Sequence, residues 1–229
     1  YSGTGSSQAI TGVGFQPDLV WSKSRSAGQS HAWIDSSRGG TKSLSSDWTG
    51  AEGTDVNMIT SFDTDGFSLG SGAGVVNNNA VTYATWNWKV NGGTTVSNTD
   101  GSITSTVQAN TDAGFSIVSY TGTGSNATVG HGLNSAPEML IVKTRSLAAK
   151  GWPVYSKEIG ANKYLSLNAT TAFTTDTNIW QNTTPTSNVF NLGTDSWNNG
   201  SSATYIAYAF HSVEGYSKFG SYTGNGNVD

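Results

Sequence analysis

The chain has 229 residues, of which 11% are charged, with 29 glycines, no cysteine and a formal net charge of -4. That balance excludes a general nucleic-acid binder, because no basic patch is available to neutralise phosphates. The missing Cys excludes disulfide scaffolds and Cys-ligated zinc or iron–sulfur sites, and no apolar run reaches the ~18 residues of a membrane-spanning helix, so no membrane insertion is expected. Eight Trp and an aromatic share of 11% argue for a packed core. Glu, Lys and Arg are too few for long surface helices, which leaves short strands and many turns.

The chain opens at Tyr1 without a Met or a signal-peptide pattern, and reads as a piece of a longer protein. Leu19-Val20-Trp21 is a short apolar run that suits a central strand. A short turn of helix is placed near Asp47 to Gly53, and Asp65-Gly66 signals a turn. Val81 to Val90 carries the clearest period of two. Ala84, Trp86, Trp88 and Val90 share the face expected to be buried; Tyr83, Thr85, Asn87 and Lys89 share the wet one. Asn91 to Gly101 has the composition of a flexible linker. Ser102 to Val107 alternates weakly, and Phe115 to Tyr120 reads as a strand. Met139 to Val142 is a second central run, and Ile206, Tyr208 and Phe210 form the inward face of a last strand.

These elements repeat. Tyr1-Ser2-Gly3-Thr4-Gly5-Ser6 returns as Tyr120-Thr121-Gly122-Thr123-Gly124-Ser125 and again as Tyr222-Thr223-Gly224-Asn225-Gly226-Asn227. Pro17 and Pro137, Lys23 and Lys143, and Arg25 and Arg145 each lie 120 residues apart. Leu69-Gly70 matches Leu192-Gly193, and Thr82-Tyr83 matches Thr204-Tyr205. The fold expected is all-β: two tandem antiparallel β-sandwich domains, jelly-roll-like, related by internal duplication. The first spans 1–90 and the second 113–218, with a linker at 91–112 that holds a short strand. Residues 219–229 read as the start of a third copy or an exit strand, and Phe219-Gly220-Ser221-Tyr222 as its entry.

Catalytic motifs are missing from the sequence: there is no Gly-x-Ser-x-Gly, no His-Glu-x-x-His and no phosphate loop. His31, His131 and His211 occupy different repeat positions and read as surface or loop residues rather than a zinc triad. Asp63 and Asp65 resemble the opening of a calcium loop, where carboxylates at alternate positions face one ion. They lack the third acid and the distal Glu, so a plain hairpin turn is the competing reading, and no other cofactor is expected. Glu138 and its counterpart Asp18 both follow Pro and begin an apolar strand, which suggests placement at an edge. No acid pair offers itself for glycoside hydrolysis, and the chain is expected not to be an enzyme. Trp21, Trp33, Trp86, Trp88 and Trp152 are assigned to the core. Trp48, Trp180 and Trp197 sit in polar, turn-rich settings and are the candidate glycan-binding residues, since an exposed ring packs on a sugar's C–H face while amides and hydroxyls take its oxygens. The competing reading is that these three rings cap a sandwich end or pack against the neighbouring repeat.

One set of motifs carries a family resemblance. It includes Gly14 to Trp21, Ser36-Ser37-Arg38-Gly39, Ser61 to Phe67, Trp86 to Lys89, Asn98 to Val107 and Gly215 to Gly220. Together they resemble the tandem repeat modules of tail-fibre and appendage proteins of tailed bacteriophages, notably marine ones. The resemblance implies a virion or extracellular location, a structural role with self-association into an oligomer or filament, and contact with a host-surface glycan. Read from its residues alone, the chain also fits a carbohydrate-binding module attached to a larger enzyme, and a depolymerase is the least supported of the three.

Overall fold

A computed structural model describes residues 1–72 and 74–226. Asn227 to Asp229, the end of the segment assigned to a third copy, lie outside the described residues. The architecture is all-β, with several antiparallel sheets.

The first half contains β1 (Gln8–Thr11), β2 (Leu19–Ser24), β3 (Ala32–Asp35), β4 (Lys42–Ser43), β5 (Gly53–Thr54), β6 (Ile59–Asp63), β7 (Gly66–Leu69) and β8 (Tyr83–Trp88). One sheet has the order β1-β7-β6 and another β3-β2-β8, with β4-β5 as a small separate pair. Ile59, Phe67 and Leu69 of the first sheet meet Val20 and Ile34 of the second in one buried cluster. Gly66 permits the β6–β7 hairpin to lie against β1. Its φ is +150°, and a side chain there would strike the carbonyl of Ile10.

The second half contains β9 (Val96–Asn98), β10 (Ser105–Asn110), β11 (Phe115–Thr121), β12 (Ala127–Gly130), β13 (Met139–Thr144), β14 (Pro153–Ser156), β15 (Lys163–Ser166), β16 (Thr174–Thr175), β17 (Val189–Leu192) and β18 (Thr204–Phe210). Eight of these form one sheet, in the order β16-β15-β14-β13-β18-β11-β10-β9, and β12-β17 lies apart from it. Leu140, Val142 and Tyr205 of the large sheet share a core with Val129 and Phe190 of the small one. Two one-turn helices, α1 (Thr177–Trp180) and α2 (Ser196–Asn199), are capped by the carboxylates of Asp176 and Asp195. The helical turn expected near Asp47 to Gly53 does not form.

Matched residues of the two halves make matched bonds. The Tyr1 ring stacks on Tyr83 at 5.1 Å, and Tyr120 on Tyr205 at 5.2 Å. Gly3 N–H donates to Val81 at 2.7 Å, and Gly122 N–H to Ala203 at 2.8 Å. Asn77 donates to the carbonyls of Ser6 and Gly70; Asn199 donates to those of Ser125 and Gly193.

A third core joins the halves. Leu19, Trp33, Leu44 and Val90 of the first pack on Phe115, Ile141, Trp152, Tyr208 and Phe210 of the second. The face carrying Trp88 therefore turns towards the other half rather than into the first half's own core. Its neighbour Trp86 extends past this cover and is 48% exposed, which corrects its assignment to the core. In β18 both faces are buried, because the sheet lies between two cores.

Buried charge reinforces the junction. Arg38 is fully buried, donates to Asp35 at 2.6 Å and Glu52 at 3.1 Å, and also reaches Tyr208 across the junction. Burial works against its charge, but Asp35, Tyr208 and Glu52 hold the guanidinium protonated well above its ordinary range. Arg145 grips Glu52 with two hydrogen bonds, at 2.8 and 3.0 Å. Burial raises the Glu52 carboxyl, and Arg145 and Arg38 more than offset that, leaving it below the usual carboxylate range.

The segment expected to be a flexible linker is tied down. Asp18 is buried and accepts N–H bonds from Val90, Gly92 and Gly93 at 2.6, 3.1 and 2.8 Å, plus the Ser36 hydroxyl. Gly92 and Gly93 have φ of 59° and 80°, which turns successive N–H groups towards one carboxylate. Gln108 accepts from Asn91 and Gly93 on the other side, and β9 and β10 join the large sheet. Composition suggested flexibility, but those same glycines here form an anion-holding turn, and Asp18 is an anchor rather than an edge residue. At the far end, Phe219-Gly220-Ser221-Tyr222 lies outside every strand; Phe219 packs on Phe210, and Tyr222 is 95% exposed.

Candidate functional site

The three candidate tryptophans have different fates. Trp48 is 61% exposed, on the Ser45–Gly50 turn. Its carbonyl accepts from the Trp152 indole at 3.1 Å, and the Thr49 carbonyl accepts from Lys143 at 3.3 Å. The second half therefore holds this turn in place while the ring faces outward. Trp180 is 1% exposed, packed edge-on against Tyr155 inside the second core. This overturns its assignment to the surface: α1 places Ile179 and Trp180 inward, and the polar residues around them line the outside of a single turn. Trp197 is half-buried against Tyr164 and is packing rather than a free platform.

Sequence reasoning missed Trp86. Its ring lies 5.2 Å from Trp21, which in turn lies 5.7 Å from His31. The Trp21 indole donates to His31 Nδ1 at 2.9 Å, and His31 N–H donates to Asp47, next to Trp48, at 3.0 Å. A cleft of about 320 Å³ runs beside this row, lined by Trp21, His31, Asp47, Asn168 and Thr170. The half-buried Trp21 indole, an acid, an amide and a hydroxyl therefore line one cleft across the junction of the halves. The row is built by the cross-strand pairing of Trp21 with Trp33 and Trp86 on neighbouring strands, a register that the fold sets and no local pattern carries. A second cleft of about 450 Å³ lies between the two central sheets, walled by Trp21, Trp33, Trp88, Phe115 and Phe210.

The calcium candidates serve different partners. Asp65 accepts from the N–H groups of Gly12 and Gly14 at 3.0 and 2.7 Å, and these bonds lower its pKa. Asp63 accepts from the Ser68 hydroxyl at 2.7 Å. Among the described residues no group of three His, Asp or Glu side chains converges. His131 is buried, not at the surface. Burial lowers its pKa to about 4, and its Nδ1 accepts from Leu133 N–H. Glu138 accepts from Lys157 and from the Ser212 hydroxyl.

The chain belongs to the family described as Domain of unknown function (DUF7483), whose model matches residues 1–229. No curated protein matches it, and neither does any solved structure. Among the described residues, no helix of this family member is long and apolar enough to cross a membrane.

Proposed function

We propose that this chain is a non-enzymatic structural and adhesive module of an extracellular fibre, of the kind carried on phage virions, and that it contacts host-surface glycan. Within this reading it consists of two tandem antiparallel β-sandwiches, jelly-roll-like and related by duplication. The matched Tyr–Tyr stacks and Asn77/Asn199 bonds support the duplication. The junction supports the structural role: a shared aromatic core, the buried Arg38 network and the Asp18 anchor hold the halves as one stiff body.

The observation that carries the adhesive part is the cleft lined by Trp21, Asp47 and Asn168, together with two exposed indoles, Trp86, whose ring lies 5.2 Å from Trp21, and Trp48, next to Asp47 in the chain. Exposed indoles beside polar groups suit a sugar, because the ring covers its C–H face and the polar groups take its hydroxyls. The same observation favours a carbohydrate-binding module of a larger enzyme as the second reading. The non-enzymatic part rests on the acids at the junction being committed to structure: Asp18 to backbone N–H groups, Asp35 and Glu52 to arginines. A glycan array is the test. Binding that falls at least tenfold in Trp48→Ala and Trp86→Ala, and stays unchanged in Trp197→Ala, is the expected result. An array without hits removes the glycan contact, and sugar release from a bound polysaccharide removes the non-enzymatic reading.

A further inference from the structure

Asp47 and Asn168 are matched residues of the two halves, and they line one cleft of about 320 Å³ at the junction. Each accepts the backbone N–H of the residue 16 positions before it, Asp47 from His31 at 3.0 Å and Asn168 from Trp152 at 2.9 Å. Both use Oδ1 for this bond. The Trp152 bond thereby fixes the Asn168 amide, with its Nδ2 left as a donor. Among the described residues Asn168 Nδ2 and Asp47 Oδ2 have no hydrogen-bond partner. The pair therefore offers one charged acceptor and one neutral donor, where identical copies would offer two alike.

A second donor stands in the same cleft. The Trp21 indole donates to His31 Nδ1 at 2.9 Å, which places the imidazole proton on Nε2. Burial holds the His31 pKa below its ordinary value, so the ring is neutral at pH 7. Two charges act on it, and Asp47 acts more strongly than Lys23, whose ammonium is taken up by the carbonyls of Ser24 and Gln29. Ser46 also lines the cleft, is 4% exposed, and its hydroxyl has no partner among the described residues. A polar group this sheltered is normally bonded to protein, water or ligand.

We infer that this cleft takes an uncharged sugar residue and turns acidic ones away. The polar lining decides this by exclusion. A uronate satisfies the N–H donors of Asn168 and His31 but meets the Asp47 carboxylate. An ammonium satisfies Asp47 but faces those two donors. A hydroxyl both donates and accepts, so neighbouring hydroxyls of one sugar serve Asp47 Oδ2, Asn168 Nδ2 and His31 Nε2 together, beside the apolar wall of Trp21. Trp21, His31 and Asp47 come from the first half and Asn168 from the second, so neither half holds the site alone. The inference rests on the adhesive reading above and narrows it to one class of sugar.

The test titrates the whole chain with matched sets of oligosaccharides, ending in glucose, galactose or mannose, in the corresponding uronate, or in the corresponding amino sugar. In at least one set the neutral member should bind at least about tenfold tighter than its uronate, through repulsion by Asp47. Asp47→Asn keeps Oδ1 for the His31 N–H and removes the charge, so it should narrow that ratio to under about threefold. Asn168→Asp keeps the acceptor for the Trp152 N–H but replaces the donor by a second carboxylate, and should weaken the neutral sugar at least about tenfold. A uronate bound as tightly as its neutral partner, or a ratio that Asp47→Asn leaves unchanged, overturns the uncharged class and leaves the adhesive reading standing. An amino sugar bound tighter than both also overturns it, since the cleft is then a cation site. Binding that is lost in Trp48→Ala but indifferent to both Asp47→Asn and Asn168→Asp puts the glycan elsewhere and overturns this site alone. No binding in any set removes the adhesive reading and this inference with it.

Discussion

Strands β8 and β18 start from the same Thr-Tyr pair, and each Tyr stacks on a matched Tyr, yet their surroundings differ. β18 has a core on each face: Tyr205, Ala207 and Ala209 on one side, Ile206, Tyr208 and Phe210 on the other. β8 presents Thr85 and Asn87 where β18 has the two alanines, and its Trp86 faces solvent where Tyr208 is sealed under Trp33 and Arg38. A strand's own pattern specifies two faces, but the neighbour decides what each face must carry. The same divergence runs through the matched charges. Arg145 holds Glu52 while Arg25 is exposed, and Asp18 is a fully buried anchor of the junction while Glu138 is half-buried and bonded within its own half to Lys157 and Ser212.

The sharpest way to break the comparison is at Arg38. Arg38→Ala leaves Asp35 buried without its counter-ion and should cost about 3–5 kcal/mol in urea unfolding. Ser156→Ala, at the position matching Asp35, should stay within about 0.5 kcal/mol.

Next in size is His131, which stands where the first half has Val13. Its folded pKa of about 4 lies below the unfolded value of about 6.5, so the unfolded chain binds more protons between them. Stability is therefore full above about pH 6.5 and falls by up to about 3 kcal/mol as pH drops towards 4. His131→Val should flatten this part of a stability–pH curve; an unchanged slope would show that another group carries it.

Asp18→Ala leaves the Val90 and Gly92 N–H groups in the junction without an acceptor and should cost about 2–3 kcal/mol. Glu138→Ala, which removes an ion pair with the exposed Lys157 and a bond from the Ser212 hydroxyl, should cost about 1 kcal/mol by the same urea measurement. The smallest contrast is Arg145→Ala at about 1 kcal/mol against almost nothing for Arg25→Ala, since the Arg145–Glu52 pair is only partly shielded.

Much of the fold was legible in the residues. The apolar runs Leu19 to Trp21 and Met139 to Val142 are central strands, and Phe115 to Tyr120 is a strand. The candidate site was less legible. Trp48 is exposed as expected, but Trp180 is hidden by a one-turn helix too short to leave a periodic signal. Trp86 was misplaced because its alternation with Trp88 and Val90 is real, yet their common face meets the other half and its far end extends beyond that cover. His131 looked like a loop residue between two glycines; burial followed from packing that those glycines do not reveal.

By itself the sequence determined the strands, their turns and the matched order of motifs, because those depend on local backbone preference and a period of two. The tertiary structure decided which face of each strand meets which neighbour, and which of the many Gly, Asn and Asp residues hold the junction rather than loosen it. Burial and hydrogen-bond satisfaction depend on partners as distant as Asp18 and Gly93 or Arg38 and Tyr208, a separation that no local pattern encodes.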